Sequence, residues 1–308
     1  MMNSLEAIGA AVAALIALDI VMGRLIDYRQ FVRVYRFLGS NMNGDTNNVV
    51  FALPGWGQDG RAVGAILANN QMDQFATVVA LDYPHKGFSI EELYRVLTTE
   101  LRSLQPTAWT AVGGSMGGQV WFELMRHYRA ERHAEPYGRP LPPIFDSAPA
   151  CADDIMVPRW SFKVMRWLGH GPIATGIKAI GMWLAAPRPR AQPDPGIDQD
   201  ALERLYHMTT WYPYPGAAAQ AAWMAHFDAR TLGPNELVPT IHYIKGAPND
   251  DGVVRNAQAV THWGQVAQVV AHIDDTRGPR DHNLVQRPNF ITEVVRQVFE
   301  AAAGETTS

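Results

Sequence analysis

Along the chain, short strand-like apolar runs alternate with stretches patterned for helices. The strand-like runs fall at residues 31–37, 49–53, 76–81, 109–113, 143–145, 240–245 and 266–273. Helical periodicity occupies residues 61–69, 90–104, 116–130, 253–263 and 289–302. A repeated strand–helix order predicts a mainly parallel α/β sheet flanked by helices on both faces. Residues 151–237 break the alternation with helical patches, no convincing strand and a Pro-rich break at 187–195. The expected organisation is an N-terminal apolar helix (1–30), a core made of 31–150 and 238–308, and an inserted helical cap (151–237). The insertion would lie over the C-terminal edge of the sheet, where open α/β sheets bind ligands.

The first helix is the least ordinary element. Residues 7–18 (AIGAAVAALIAL) are uncharged and apolar, and the run resumes after Asp19. A secretory signal needs a basic start, but Glu6 precedes the run and no small-residue cleavage site follows. A membrane span needs about 20 apolar residues, and Asp19 interrupts this one. Arg24, Arg29, Arg33 and Arg36 follow, as on a cytoplasmic flank. Two expectations stand: an amphipathic or packed helix, or a helix in contact with a membrane surface.

Composition adds exclusions. The chain is 47% hydrophobic and 18% charged with a net charge of −4, which does not fit a nucleic-acid binder. A single cysteine, Cys151, excludes an internal disulfide framework and a cysteine-rich metal site, and suits a reducing, cytoplasmic setting. Five of the nine tryptophans (160, 167, 183, 211, 223) and five of the twelve methionines (156, 165, 182, 208, 224) lie in the insertion. They would either line an apolar pocket or, the plainer expectation, fill the insertion's own core. His170, His207 and His226 there have no metal-ligand spacing.

The chemistry concentrates at Gly113-Gly114-Ser115-Met116-Gly117, a G-x-S-x-G pattern between a strand-like run and a helical one. A sharp strand-to-helix turn forces the serine into strained backbone angles and needs small residues on either side. It would lift the Ser115 hydroxyl towards the cleft, above a helix N-terminus that favours negative charge. A serine hydroxyl needs a base, and the base needs an orienting acid. His282, in a loop after the last strand-like run, is the candidate base. Asp250 and Asp251, after the 240–245 run, are the candidate acids, and Asp251 is favoured by its spacing to Val253-Val254. Two oxyanion donors are expected: the Met116 N–H, and the Trp56 N–H in the loop Leu53-Pro54-Gly55-Trp56-Gly57.

These pieces together resemble the α/β-hydrolase superfamily. The resemblance rests on LPGWG (53–57), LDYPHKGFS (81–89), GGSMGG (113–118), KGAPNDDGVV (245–254) and DHNLVQRP (281–288), in the family's order. The 53–57 loop is similar to that of carboxylesterases such as the pimeloyl-carrier-protein methyl esterases, with Pro54-Gly55 where His-Gly is usual. His85, in the 81–89 segment, precedes the serine and is a loop residue in this comparison. Little room before Val49 implies abbreviated first strands. Serine at 115 sets the chain apart from relatives that use an aspartate nucleophile, the epoxide hydrolases and haloalkane dehalogenases. The resemblance implies a serine hydrolase cleaving small carboxylic esters of apolar acyl groups through an acyl-enzyme, with no metal and no organic cofactor. The elbow is also similar to those of homoserine acetyltransferases and carbon–carbon bond hydrolases, so acyl transfer and C–C cleavage stay open. So does a non-catalytic binding protein of the same fold.

Overall fold

The computed structural model describes residues 4–38, 47–131, 137–157, 159–167, 171–185, 199–246, 251–274, 282 and 287–305. The chain runs α1 (Ser4–Leu25), β1 (Arg33–Phe37), β2 (Asn48–Leu53), α2 (Gly60–Asn69), β3 (Thr77–Asp82), α3 (Ile90–Leu104), β4 (Ala108–Gly114), α4 (Met116–Glu131), β5 (Arg139–Pro140) and β6 (Ile144–Asp146). Helices α5 (Arg159–Trp167), α6 (Pro172–Ala185), α7 (Gln199–Trp211), α8 (Tyr214–Met224) and α9 (Ala229–Leu232) follow. The chain then returns through β7 (Thr240–Gly246), α10 (Asn256–Trp263), β8 (Gln268–Asp274) and α11 (Pro288–Glu305).

The sheet order is β1-β3-β2-β4-β6-β7-β8, with β5 beside β4. Every pairing is parallel except that of β1, which runs antiparallel to β3 along the edge. Among the described residues β1 is the one strand before β2, in line with the abbreviated first strands expected from the short stretch before Val49. Both faces of the sheet are covered, so the central strands are apolar at nearly every position. In β2, Val49, Phe51 and Leu53 join Leu93 and Leu97 of α3 and Trp121 and Phe122 of α4. Val50 and Ala52 face the other way, against Val63, Ile66 and Leu67 of α2 and Val295 and Val298 of α11. Side-chain caps start two of these helices: Asp59 accepts from the Ala62 N–H and Ser89 from the Glu92 N–H.

Four expectations need correction. Strand β5, two residues long and containing Pro140, was not foreseen, because it is too short to carry a period. Helix α10 begins at Asn256 rather than 253. Val253 and Val254 donate their N–H groups to the Asp251 carboxylate, and Val254 forms a bridge with Ile155. Helix α1 is not amphipathic, and although it packs on α6 only its Asp19 and Gly23 are buried. The insertion's tryptophans do not all fill a core either, since Trp160, Trp167 and Trp211 are more than half exposed.

The two stems of the inserted helices are stapled to each other and to the core. Cys151 and Asp228 form a β-bridge. The fully buried Asp154 accepts from the Ala150 and Cys151 N–H groups (2.8 and 3.1 Å) and contacts His262 Nδ1 at 2.7 Å. Arg230 reaches His262 Nε2 at 3.4 Å. An arginine only donates, so Nε2 accepts and Nδ1 carries the proton given to Asp154. Replacing Asp154 by Ala strands two buried N–H donors and should destabilise the fold by about 2–4 kcal/mol. A lowered urea midpoint at unchanged slope is the expected readout, and a midpoint equal to the parent's would contradict the staple.

Candidate active site

Strand β4 ends at Gly114 and α4 starts at Met116, so Ser115 alone makes the turn. Its φ is +49°, a left-handed conformation that costs a non-glycine residue energy and persists only under constraint. The constraint is visible. The Ser115 N–H donates to the Asp146 carbonyl at 2.9 Å, and the Ser115 carbonyl accepts from the Gly118 N–H at 3.2 Å. A Cβ on Gly113 would stand 2.6 Å from the Gly118 nitrogen, and one on Gly117 would stand 2.2 Å from the Leu53 carbonyl oxygen. No larger residue fits either place without moving backbone. The second close approach also shows that the loop after β2 lies directly against the first turn of α4.

In that loop the amides on either side of Trp56 are already engaged. The Gly55 N–H donates to Gln58 Oε1 and the Gly57 N–H to Gln220 Oε1, each at 2.8 Å. Among the described residues the N–H groups of Trp56 and Met116 have no protein acceptor. Met116 opens α4, where orphan N–H groups and the helix dipole favour an anion.

Asp251 follows β7 and His282 follows β8. Their side chains meet, His282 Nδ1 lying 2.8 Å from Asp251 Oδ2. The carboxylate also accepts from the Val253 N–H (2.9 Å), the Val254 N–H (2.7 Å) and Asn256 Nδ2 (3.1 Å). Burial pushes the Asp251 carboxyl up, but the His282 charge, its hydrogen bond and the Val254 and Val253 N–H groups outweigh burial. The net result holds this carboxyl well below the usual carboxylate range. Asp250 lies outside the described residues. Because β2, β4, β7 and β8 are all parallel, their C-terminal ends, after which Trp56, Ser115, Asp251 and His282 come in the sequence, lie on one edge of the sheet.

Solved structures share this fold. An esterase from Exiguobacterium antarcticum superposes with a TM-score of 0.63 at 15% identity, over 88% of this chain and 98% of that one. A thermophilic esterase from Thermogutta terrifontis gives 0.58 at 17% identity, covering 88% and 93%. A bromoperoxidase from Bacillus anthracis gives 0.59 at 14% identity, covering 87% and 95%. The chain has the α/β-hydrolase fold. Neither a protein-family model nor a curated protein sequence matches it.

Within this α/β-hydrolase frame, helix α8 holds the oxyanion-loop candidate from above. Gln220, fully buried, accepts from the Gly57 N–H and donates through Nε2 to the Tyr212 hydroxyl (2.9 Å). That hydroxyl donates to the Pro84 carbonyl (2.9 Å), and Trp56 Nε1 donates to the Ala217 carbonyl (2.7 Å). Sequence reasoning did not find Gln220 or Tyr212. The available signal was one polar residue within the run Ala217-Ala218-Ala219-Gln220-Ala221-Ala222. Asn256, also not foreseen, links Asp251 to the Tyr243 hydroxyl. His85 sits in the loop after β3, edge-on to Tyr212, and burial with Arg29 and Arg33 pushes it down to about 4.

The ligand atoms of Cys151, Asp154 and His262 lie within 4.8 Å of one another, a set that resembles a metal site. The donor pattern opposes that role. A metal on Nδ1 would place the ring proton on Nε2, against the Arg230 guanidinium. Burial and Asp154 push the Cys151 thiol up to about 11, away from the thiolate a metal needs.

A depressed acid stabilises the fold above its ordinary value near 3.8 and loses that contribution as the pH falls. Asp251→Asn should therefore lower the urea midpoint near neutral pH, with the gap to the parent narrowing below a pH of about 4. A gap that stays constant down to a pH of about 2 would mean that Asp251 is not held ionised by its partners.

Proposed function

We propose that the chain is a serine hydrolase that cleaves carboxylic esters of apolar acyl groups through a covalent acyl-enzyme. The observations that carry this reading are the strained Ser115 turn after β4 and the buried Asp251–His282 pair, whose members follow β7 and β8 of the same parallel sheet. Structural neighbours described as esterases and hydrolases support it.

In this mechanism Ser115 Oγ attacks the ester carbonyl carbon. With Nδ1 directed to Asp251, proton transfer falls to His282 Nε2, which accepts the hydroxyl proton as the bond forms. Asp251 keeps Nδ1 protonated and stabilises the imidazolium. The tetrahedral oxyanion takes the N–H groups of Met116 and Trp56 as donors. Collapse expels the alcohol, which receives its proton from Nε2. Water then attacks the acyl-enzyme with His282 as base, releasing the carboxylic acid and restoring Ser115. Gln220 acts through the loop: by accepting the Gly57 N–H it fixes the peptide plane next to Trp56.

A fluorophosphonate probe should label the parent at Ser115 and leave Ser115→Ala unlabelled. p-Nitrophenyl esters of graded chain length should show burst acylation that Ser115→Ala and His282→Ala abolish. Asp251→Asn should lower kcat by about a thousandfold to ten-thousandfold. Burst acylation surviving in Ser115→Ala would remove the reading, and product partition with an added acyl acceptor tests hydrolysis against transfer.

Gln220→Leu should lower kcat by about tenfold to a hundredfold with little change in KM, since the loop it holds acts on the oxyanion and not on the bound ester. Gln220→Glu retains an acceptor for Gly57 and should recover part of the loss. Equal activity in all three proteins would show that the loop does not depend on α8.

A further inference from the structure

Helix α1 is 22 residues long, with a mean hydropathy of 2.1 over its most apolar window and only 6% of that window buried. Every residue from 4 to 15 is exposed. The uncharged run 7–18 is apolar on all sides, and that pattern belongs to a helix surrounded by apolar material, not to one paired along a single stripe. At about 1.5 Å per residue, the stretch from Ser4 to Leu18 reaches about 22 Å, enough to enter the hydrocarbon layer of a bilayer without spanning it.

This helix is built into the fold. Asp19, 2% exposed, accepts from the N–H groups of Gly171 (2.9 Å), Ile173 (2.6 Å) and Ala174 (3.2 Å), and so caps α6 from a different helix. A Cβ on Gly171 would stand 2.1 Å from the Asp19 carbonyl oxygen. The one charge that interrupts the apolar run is thus consumed inside the protein.

Exposed apolar side chains also cluster on the helices grouped with α1. Helix α1 packs on α6, α6 on α7 and α8, and α5 on α8. Trp160 and Trp167 of α5, Ile177 and Ile180 of α6 and Trp211 of α7 are all more than half exposed. Among the described residues, the helices that flank the sheet (α2, α3, α4, α10 and α11) expose no large apolar side chain to a comparable degree. Where α1 meets α8 and the loop after β3, a cavity of about 390 Å³ has Ile20, Pro215, Ala218 and Ala222 in its apolar wall. Arg24 and Lys86 complete that wall, and neither has an acidic partner among the described residues. Two cations beside an apolar wall, at the foot of an uncovered apolar helix, match an anionic headgroup above acyl chains.

We infer that α1 and the inserted helices α5–α7 seat the protein on a lipid bilayer containing anionic lipid. The apolar length of α1 enters the hydrocarbon, the exposed tryptophans lie at the interface, and Arg24 and Lys86 meet the headgroups.

Flotation of the full chain with vesicles tests this without any need for catalysis. The vesicles are phosphatidylcholine alone, or phosphatidylcholine with about one-third phosphatidylglycerol. The parent should float with both and more strongly with the anionic vesicles, and added salt should remove the difference. Arg24→Gln with Lys86→Gln should weaken binding to the anionic vesicles by about twentyfold and leave binding to the neutral ones nearly unchanged. Ile8→Lys, Val12→Lys and Leu15→Lys together alter only exposed positions. They should abolish flotation while the melting curve followed by circular dichroism is retained. If the parent stays with the soluble fraction as a defined oligomer, or the triple variant floats like the parent, the inference is overturned. The first outcome would assign the α1 surface to a second copy of the chain.

Discussion

The left-handed backbone of Ser115 is the constraint from which the site takes its shape. A serine at φ +49° holds only because β4, the first turn of α4, the end of β6 and the loop after β2 all press on it through backbone atoms. Each contact has a geometric consequence beyond holding the turn. The N–H to Asp146 fixes β6 beside β4 at the elbow. The approach of Gly117 to the Leu53 and Pro54 carbonyls sets the start of the loop that carries Trp56 against the first turn of α4. Nucleophile and donor candidates are therefore positioned by the same packing, and neither can shift without the other.

Much of this was legible in the sequence. The central strands are long apolar runs and α3 carries its own capping serine, so local signals and global fold agree. The elbow was readable because small residues at 113, 117 and 118 have no other reason to cluster around a serine. Asp251 was favoured over Asp250 because a helix was expected to start at Val253-Val254; the structure instead turns two N–H groups there onto its carboxylate, and Asp250 lies outside the described residues. Gln220 was not legible, since its partner Gly57 is 163 residues away and no local pattern joins them. Asp19 was misleading for the same reason. In the sequence it is a charge that spoils an apolar helix, and in the fold it caps a helix more than 150 residues further on. The insertion's tryptophans were read as core because aromatic residues usually are. Exposure is a property of neighbours, which composition does not supply.

Among the described residues two aspartate–histidine pairs have nearly equal spacing, Asp251–His282 at 2.8 Å and Asp154–His262 at 2.7 Å. Their surroundings separate them. The second imidazole has an arginine on its far nitrogen and a protonated thiol beside it, which locks one tautomer into a staple. The first follows the last strand of the sheet, on the edge that carries Ser115. The local pair is the same, and the elements that deliver it set its different surroundings.

Helix α8 touches the loop after β2 at two points, through Ala217 and Gln220, and it lines the cavity beside α1 with Ala218 and Ala222. It is a scaffold for both. Because both hydrogen bonds run from α8 to the loop after β2, an outward swing of α8 would carry the Trp56 side chain and the Gly57 peptide with it. The position of the helix and the conformation of that loop are thus a single mechanical coordinate.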